Sequence, residues 1–189
     1  MTRKITWYVI IFFLFGSRIA VGESLNSQVT FHYYEVSGHT TNDFCKAFNT
    51  SGPVDQEGVR RHAVTEWHVT WKWHAVNRVP EYKSAEVSYS IDITFPKLSL
   101  DASPSSALLE KWRNYEASLL THEQGHVALV KKVVKRLEET LHALPKTTQS
   151  ADAEKIAQDQ MLELRNSDRQ YDRTTKHGGT QGVVWECAR

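Results

Sequence analysis

The segment His122-Glu123-Gln124-Gly125-His126 carries the clearest chemistry in the sequence. Side chains four residues apart on a helix lie one above the other, so two imidazoles at this spacing can share a single Zn²⁺. Catalytic zinc takes three protein ligands and a water whose pKa falls towards neutrality, and Glu123 is the candidate general base that takes the proton from that water. The neighbours Leu119, Leu120, Thr121, Val127 and Ala128 are uncharged. Burying two histidines and a glutamate together is expensive unless they have a joint task. Gly125 adds a second signal, because glycine inside a helix costs roughly 0.5 to 1 kcal/mol relative to alanine. Something is expected to approach the helix closely at that point.

A third ligand has to come from elsewhere in the chain. From His126 to a turn near Thr148 is 22 residues, so an antiparallel second helix would return opposite the motif near residue 170, where Asp168, Asp172 and His177 fall. The prevalence of neutral imidazole as a metal ligand, and Gly178-Gly179 just after it, favour His177 as the third ligand over Asp172 or Asp168. A carboxylate not bound to the metal would accept a hydrogen bond from a ligand imidazole. Tyr171 is a candidate donor to the oxyanion formed when water attacks a peptide carbonyl, or else a ring packed under the helix end. The isolated His32, His39, His62, His68, His74 and His142 read as surface or hydrogen-bonded side chains.

The elements that must position this chemistry are legible in the hydrophobic pattern. Val29 to Val36 reads as a strand ending in Ser37-Gly38, and Thr41 to Phe48 as a short helix stopped before Pro53. Ala63 to Ala75 alternates Trp67, Val69, Trp71 and Trp73 with polar residues, which predicts a two-faced strand with the tryptophans in the core. After a break around Pro80, Val87, Tyr89, Ile91, Ile93 and Phe95 give a second such strand, antiparallel to the first. Ser103-Pro104 opens and Pro145 closes a long helix whose apolar stripe includes Leu109, Trp112, Tyr115, Leu119, Val130, Val134, Leu137 and Leu141. Such a stripe needs a sheet beneath it. Ala151 to about Ser167 reads as a second helix with Ile156, Leu162 and Leu164 as its apolar contacts, and Gly178 to Gly182 as an irregular tail. The expected fold is α+β, with a small antiparallel or mixed sheet on a long active-site helix and a second helix beside it.

Composition places this domain outside the cell interior. Arg3 and Lys4, the apolar run Ile5 to Phe15, and the small residues Ala20-Val21-Gly22 form an export signal spanning residues 1–22. Arg18 interrupts the run well short of the roughly 20 apolar residues that a membrane span needs. A single domain of residues 23–189 then remains. The whole chain has 23 Lys+Arg and 22 Asp+Glu, and removing Arg3, Lys4 and Arg18 leaves a slightly acidic mature chain with no basic cluster. Nucleic acid and, after signal cleavage, a membrane surface are excluded as partners; the motif chemistry points to a peptide or protein substrate. Cys45 and Cys187 are the only cysteines, and in a secreted or periplasmic setting they could pair.

The sequence resembles a bacterial family of predicted secreted zinc-dependent proteases, catalogued as domain of unknown function 922. The resemblance rests on Tyr33-Tyr34-Glu35-Val36-Ser37-Gly38, Gly52-Pro53, Trp71-Lys72-Trp73, the His122 to His126 motif and Tyr171-Asp172-Arg173-Thr174-Thr175-Lys176-His177-Gly178. It implies a zincin-like peptidase and a role at the metal for the last of these segments. The expected activity is zinc-dependent hydrolysis of peptide bonds by an exported metallopeptidase, with Glu123 and Tyr171 catalytic and His122, His126 and His177 on the zinc. The alternatives are a non-catalytic zinc-binding or structural domain, and an amidase acting on cell-wall peptides with the same metal chemistry.

Overall fold

The alternation along Val87 to Phe95 makes one strand face dry and the other wet, and the chain builds its sheet around that strand. A computed structural model describes residues 27–99 and 103–187; residues 1–22, expected to be an export signal, lie outside the described residues. Along the chain come β1 (Gln28–Val36), α1 (Thr41–Ser51), β2 (Val64–Val76), β3 (Val79–Leu98), α2 (Ser106–His142) and α3 (Ser150–Thr175), followed by a 3-10 turn at Gly179–Gln181. This is the expected α+β architecture. The sheet has the order β1-β3-β2, with β2 antiparallel and β1 parallel to the central β3.

The β2–β3 hairpin turns at Asn77-Arg78, both left-handed with φ of 51° and 66°, as a tight hairpin requires. The break expected around Pro80 therefore falls slightly earlier, and Pro80 sits within β3 opposite Ala75, beside the turn. Val87, Tyr89, Ile91, Ile93 and Phe95 are all buried. The opposite face is polar: His32 meets Asp92 at 2.7 Å, Thr70 meets Ser88 at 2.8 Å and Lys72 meets Glu86 at 3.0 Å. Trp67, Trp71 and Trp73 lie on the dry side but are only partly buried against the core, because β2 is an edge strand. The Trp71 indole N–H donates to Glu154 of α3 at 2.9 Å.

Ser105 caps α2, its hydroxyl accepting from the Leu108 N–H, so Pro104 stands just outside the helix rather than at its first position. The stripe from Trp112 and Tyr115 through Leu119, Val130, Val134, Leu137 and Leu141 is buried and packs over β3. At the other end α1, held by a reciprocal cap between Thr40 and Asp43, buries Phe44, Cys45 and Phe48. These rings form an aromatic cluster with Trp112, Tyr115 and Trp185, and Cys45 is disulfide-bonded to Cys187. Closing a loop with a sequence separation of 142 stabilises the fold by about 5 kcal/mol in the chain-entropy account.

Two expectations about the second helix need correction. It does not end near Ser167 but runs on to Thr175, since nothing between those residues breaks a helix. Its buried stripe is Ala153, Ala157, Met161 and Leu164, whereas Leu162 is 58% exposed. One residue is 100° of helical turn, so Leu162 cannot share the face of Met161 and its neighbours. We expect Ile91→Ala, at a fully buried site, to cost about 2–5 kcal/mol in urea unfolding. Leu162→Ala should change stability by no more than about 0.5 kcal/mol. A larger loss at Leu162 would contradict this packing.

Candidate metal centre

Helices α2 and α3 are antiparallel neighbours: His126 pairs with Asp168, Arg136 with Glu163 and Thr140 with Gln160 as one helix ascends and the other descends. Each contributes a pair of side chains four apart to the shared face, His122 and His126 from α2 and Asp168 and Asp172 from α3. The extension of α3 beyond Ser167 is what puts Asp172 there. Among the described residues, His122, His126 and Asp172 are the group whose ligand atoms all lie within 4.8 Å of one another.

The geometry of these three atoms is specific. His122 Nε2 and His126 Nε2 are 3.4 Å apart, and Asp172 Oδ1 is 3.2 Å from each. A tetrahedral ion with bonds of about 2.0–2.1 Å separates its ligand atoms by about 3.3–3.4 Å. The outer nitrogens fix the tautomers. His126 Nδ1 lies 2.7 Å from Asp168 Oδ1 and His122 Nδ1 3.0 Å from Gln181 Oε1, both acceptors, so each Nδ1 carries the hydrogen. Both Nε2 lone pairs then point at each other and at a carboxylate oxygen. Three acceptors this close repel unless positive charge sits among them.

A proton can supply that charge, but it bridges one pair of atoms at a time; a metal ion could be held by all three. Without a metal, burial lowers the His126 pKa, yet its hydrogen bonds to Asp168 and Asp172 more than offset this and push it up to about 10. Burial likewise raises Asp172, but hydrogen bonds from His122 and His126 outweigh it and hold its carboxyl well below the usual carboxylate range. The residues present therefore fit a small divalent cation such as Zn²⁺: two neutral imidazoles and one carboxylate, each imidazole oriented by a hydrogen bond behind it.

Glu123 is buried at 3% exposure beside the first histidine. Its Oε2 accepts from the Thr65 hydroxyl of β2 at 2.6 Å. Burial raises its pKa, with that hydrogen bond and the two imidazoles pulling the other way. A carboxylate moved upward towards neutrality is a better proton acceptor for work at physiological pH than an ordinary one.

Tyr171 is brought to the site, but under the helix. Its ring stacks on His122 at 5.1 Å between centroids and 10° between planes. Its hydroxyl donates to the His122 carbonyl at 3.2 Å and accepts from Gln181 Nε2 at 3.0 Å. That hydroxyl is also why residue 125 is glycine, since a Cβ there would lie 2.0 Å from it. The close approach expected from Gly125 is this contact. With its one hydrogen engaged on a backbone carbonyl, Tyr171 is placed to orient His122 rather than to donate to an oxyanion.

His177, expected as the third ligand, is not in the three-atom group. Lys176, His177 and Gly178 are successive left-handed residues with φ of 53°, 51° and 80°, and they turn the chain after α3. The His177 side chain is 48% exposed, with Nδ1 3.5 Å from Asp172 Oδ1. Imidazole chemistry favoured His177, but the side chain whose oxygen shares the group with the two imidazoles is Asp172. Asp168, weighed as a ligand, is instead the acceptor behind His126. Thr65 and Gln181 gave no sequence signal, because their roles depend on a strand and a tail folding back onto α2.

The fold and the site together define an α+β protein with a His-His-Asp group able to hold a metal ion. Residues 31–178 match the family described as bacterial protein of unknown function (DUF922), and the chain belongs to that family. No curated protein and no solved structure matches the chain. Gln181 and Cys187 lie beyond the matched stretch.

Because His126 holds its proton up to about pH 10 without metal, a metal binding at pH 7 must displace it. Titration calorimetry in buffers of different ionisation enthalpy should report about one proton released per zinc at pH 7. Apparent affinity should also rise close to tenfold per pH unit, levelling off as the pH approaches the His126 pKa. Zinc binding with no proton release would show that the imidazole pair is already neutral.

Proposed function

We propose that this protein is an exported zinc metallopeptidase in which His122, His126 and Asp172 hold the metal and Glu123 is the general base. The observation that carries the reading is the triangle of three acceptor atoms, 3.2, 3.2 and 3.4 Å on its edges, beside a buried glutamate. Zinc, when bound, supplies a Lewis acid that lowers the pKa of a water and polarises the carbonyl to be attacked. Glu123 accepts the proton of the attacking water and returns it to the leaving amine, as its raised pKa allows. Thr65 fixes the rotamer of that carboxylate through its hydroxyl. Asp168 and Gln181 keep the two imidazoles in the tautomer whose Nε2 is free for metal.

Export is part of the same proposal. The positive and apolar segment of residues 1–22 and the Cys45–Cys187 disulfide suit an oxidising compartment outside the cytoplasm. Peptide and protein chains are the substrates proposed; digestion of purified peptidoglycan alongside casein distinguishes them from cell-wall peptides.

Metal content and turnover of single variants test the assignment. Glu123→Gln should retain one zinc per chain and lose at least about 10²-fold in turnover, the usual size of a general-base contribution. Retained activity would remove Glu123 from the mechanism, and inactivity of the zinc-loaded wild type on every peptide substrate would leave a binding or structural domain. Zinc content in Asp172→Asn and His177→Ala decides the third ligand: loss in the former and retention in the latter is expected, and the reverse would restore His177.

A further inference from the structure

The tail after α3 contains no part of the metal group, yet it reaches the back of it. Gln181, at the end of the 3-10 turn Gly179–Gln181, offers its amide oxygen to His122 Nδ1 and its amide N–H to the Tyr171 hydroxyl, which in turn donates to the His122 carbonyl. One amide therefore grips the first histidine from its ring and, through Tyr171, from its backbone. The fit is close: a Cβ at Gly178 would lie 2.5 Å from Val183 Cγ2 and 3.1 Å from His122 Cγ. A Cβ at Gly182 would lie 2.8 Å from the Ser118 hydroxyl. Tail and α2 touch backbone to side chain on both sides of Gln181.

The tail is held at its far end by two anchors. Trp185 is buried, stacked on Phe44 at 5.4 Å and edge-on to Tyr115 at 5.1 Å. Two residues on, Cys187 is bonded to Cys45 of α1. Resting on the zinc reading above, we infer that Gln181 is a positioning residue that locks His122 as its Nδ1–H tautomer, and that the Cys45–Cys187 bridge clamps it there, so that tight zinc binding belongs to the oxidised chain. The bridge forms when the two thiols give up two electrons and two protons to a disulfide oxidant, which leaves as two thiols. Before that step the tail beyond Gln181 is held at its far end by the packing of Trp185 without a covalent tie. A reduced chain would thus bind metal weakly until exported and oxidised.

The test uses the mature protein and four variants: Gln181→Leu, Gln181→Glu, the Cys45→Ser/Cys187→Ser pair, and the pair combined with Gln181→Leu. Zinc affinity is read by competition with a chromophoric chelator, and the His122 tautomer by ¹⁵N imidazole shifts in metal-free protein. Gln181→Leu should lose about 10- to 100-fold in affinity, as removal of an acceptor behind a ligand histidine does, and populate the Nε2–H form of His122. Gln181→Glu, which keeps an acceptor, should restore both readouts. The serine pair should weaken zinc binding when Gln181 is present and add nothing once it is Leu. Wild-type affinity and an unchanged tautomer in Gln181→Leu would overturn the role of Gln181. Wild-type affinity in the serine pair, or an equal loss with and without Gln181, would overturn the clamp. Absence of zinc binding by the wild type would instead refute the metal reading, and the tautomer shifts would still decide Gln181.

Discussion

Two imidazole nitrogens and a carboxylate oxygen, mutually within 3.4 Å between two helices, are a constraint that the surrounding structure is arranged to maintain. Left without positive charge they would drive α2 and α3 apart, so the packing beside them has to be strong. It is supplied by Ala153, Ala157, Met161 and Leu164 of α3 and by the long buried stripe of α2. The sheet supports α2 from the other side, and through Thr65 it also sets the position of Glu123.

The site is polar where it must be and closed where it can be. Each buried heteroatom in it has a partner: Asp168 behind His126, Gln181 behind His122, Thr65 on Glu123, and the His122 carbonyl and Gln181 on Tyr171. Buried polar groups gain rigidity from such complete networks and lose stability from partial ones. The Tyr171 ring lying flat on His122 adds a steric stop, and the missing side chain at Gly125 makes room for it. These contacts leave the two Nε2 atoms few alternative positions, as preorganised binding of an ion would require.

Aromatic packing and the disulfide connect this site to α1. Phe44 and Phe48 of α1, Trp112 and Tyr115 of α2 and Trp185 of the tail share one cluster. The tail is thereby part of the core even though it has almost no regular structure. Its three left-handed residues at 176–178 reverse the chain after α3 and send it back across α2, so the segment following the motif-bearing helices closes over their junction.

Much of this was legible in the sequence, and the divide has a physical basis. Period-two alternation fixed the two long strands and their dry faces, because side-chain direction in a strand is a local property. The His122–His126 spacing placed two imidazoles on one helix face, and Gly125 announced a close neighbour without saying which. Chain length from His126 through the turn was enough to bring the region of residue 170 opposite the motif. What remained open was phase and identity across that gap: whether Asp172 or His177 meets the imidazoles, and what stands behind them. Those depended on how far α3 continues, on three left-handed residues that leave His177 half-exposed beside Asp172 rather than between the imidazoles, and on a tail that returns from beyond Gly178 to deliver Gln181. The parallel placement of β1 and the union of Cys45 with Cys187 are of the same kind. Local pattern specifies elements and their faces; contacts between residues far apart in sequence exist only after packing has chosen among arrangements that the pattern alone leaves equivalent.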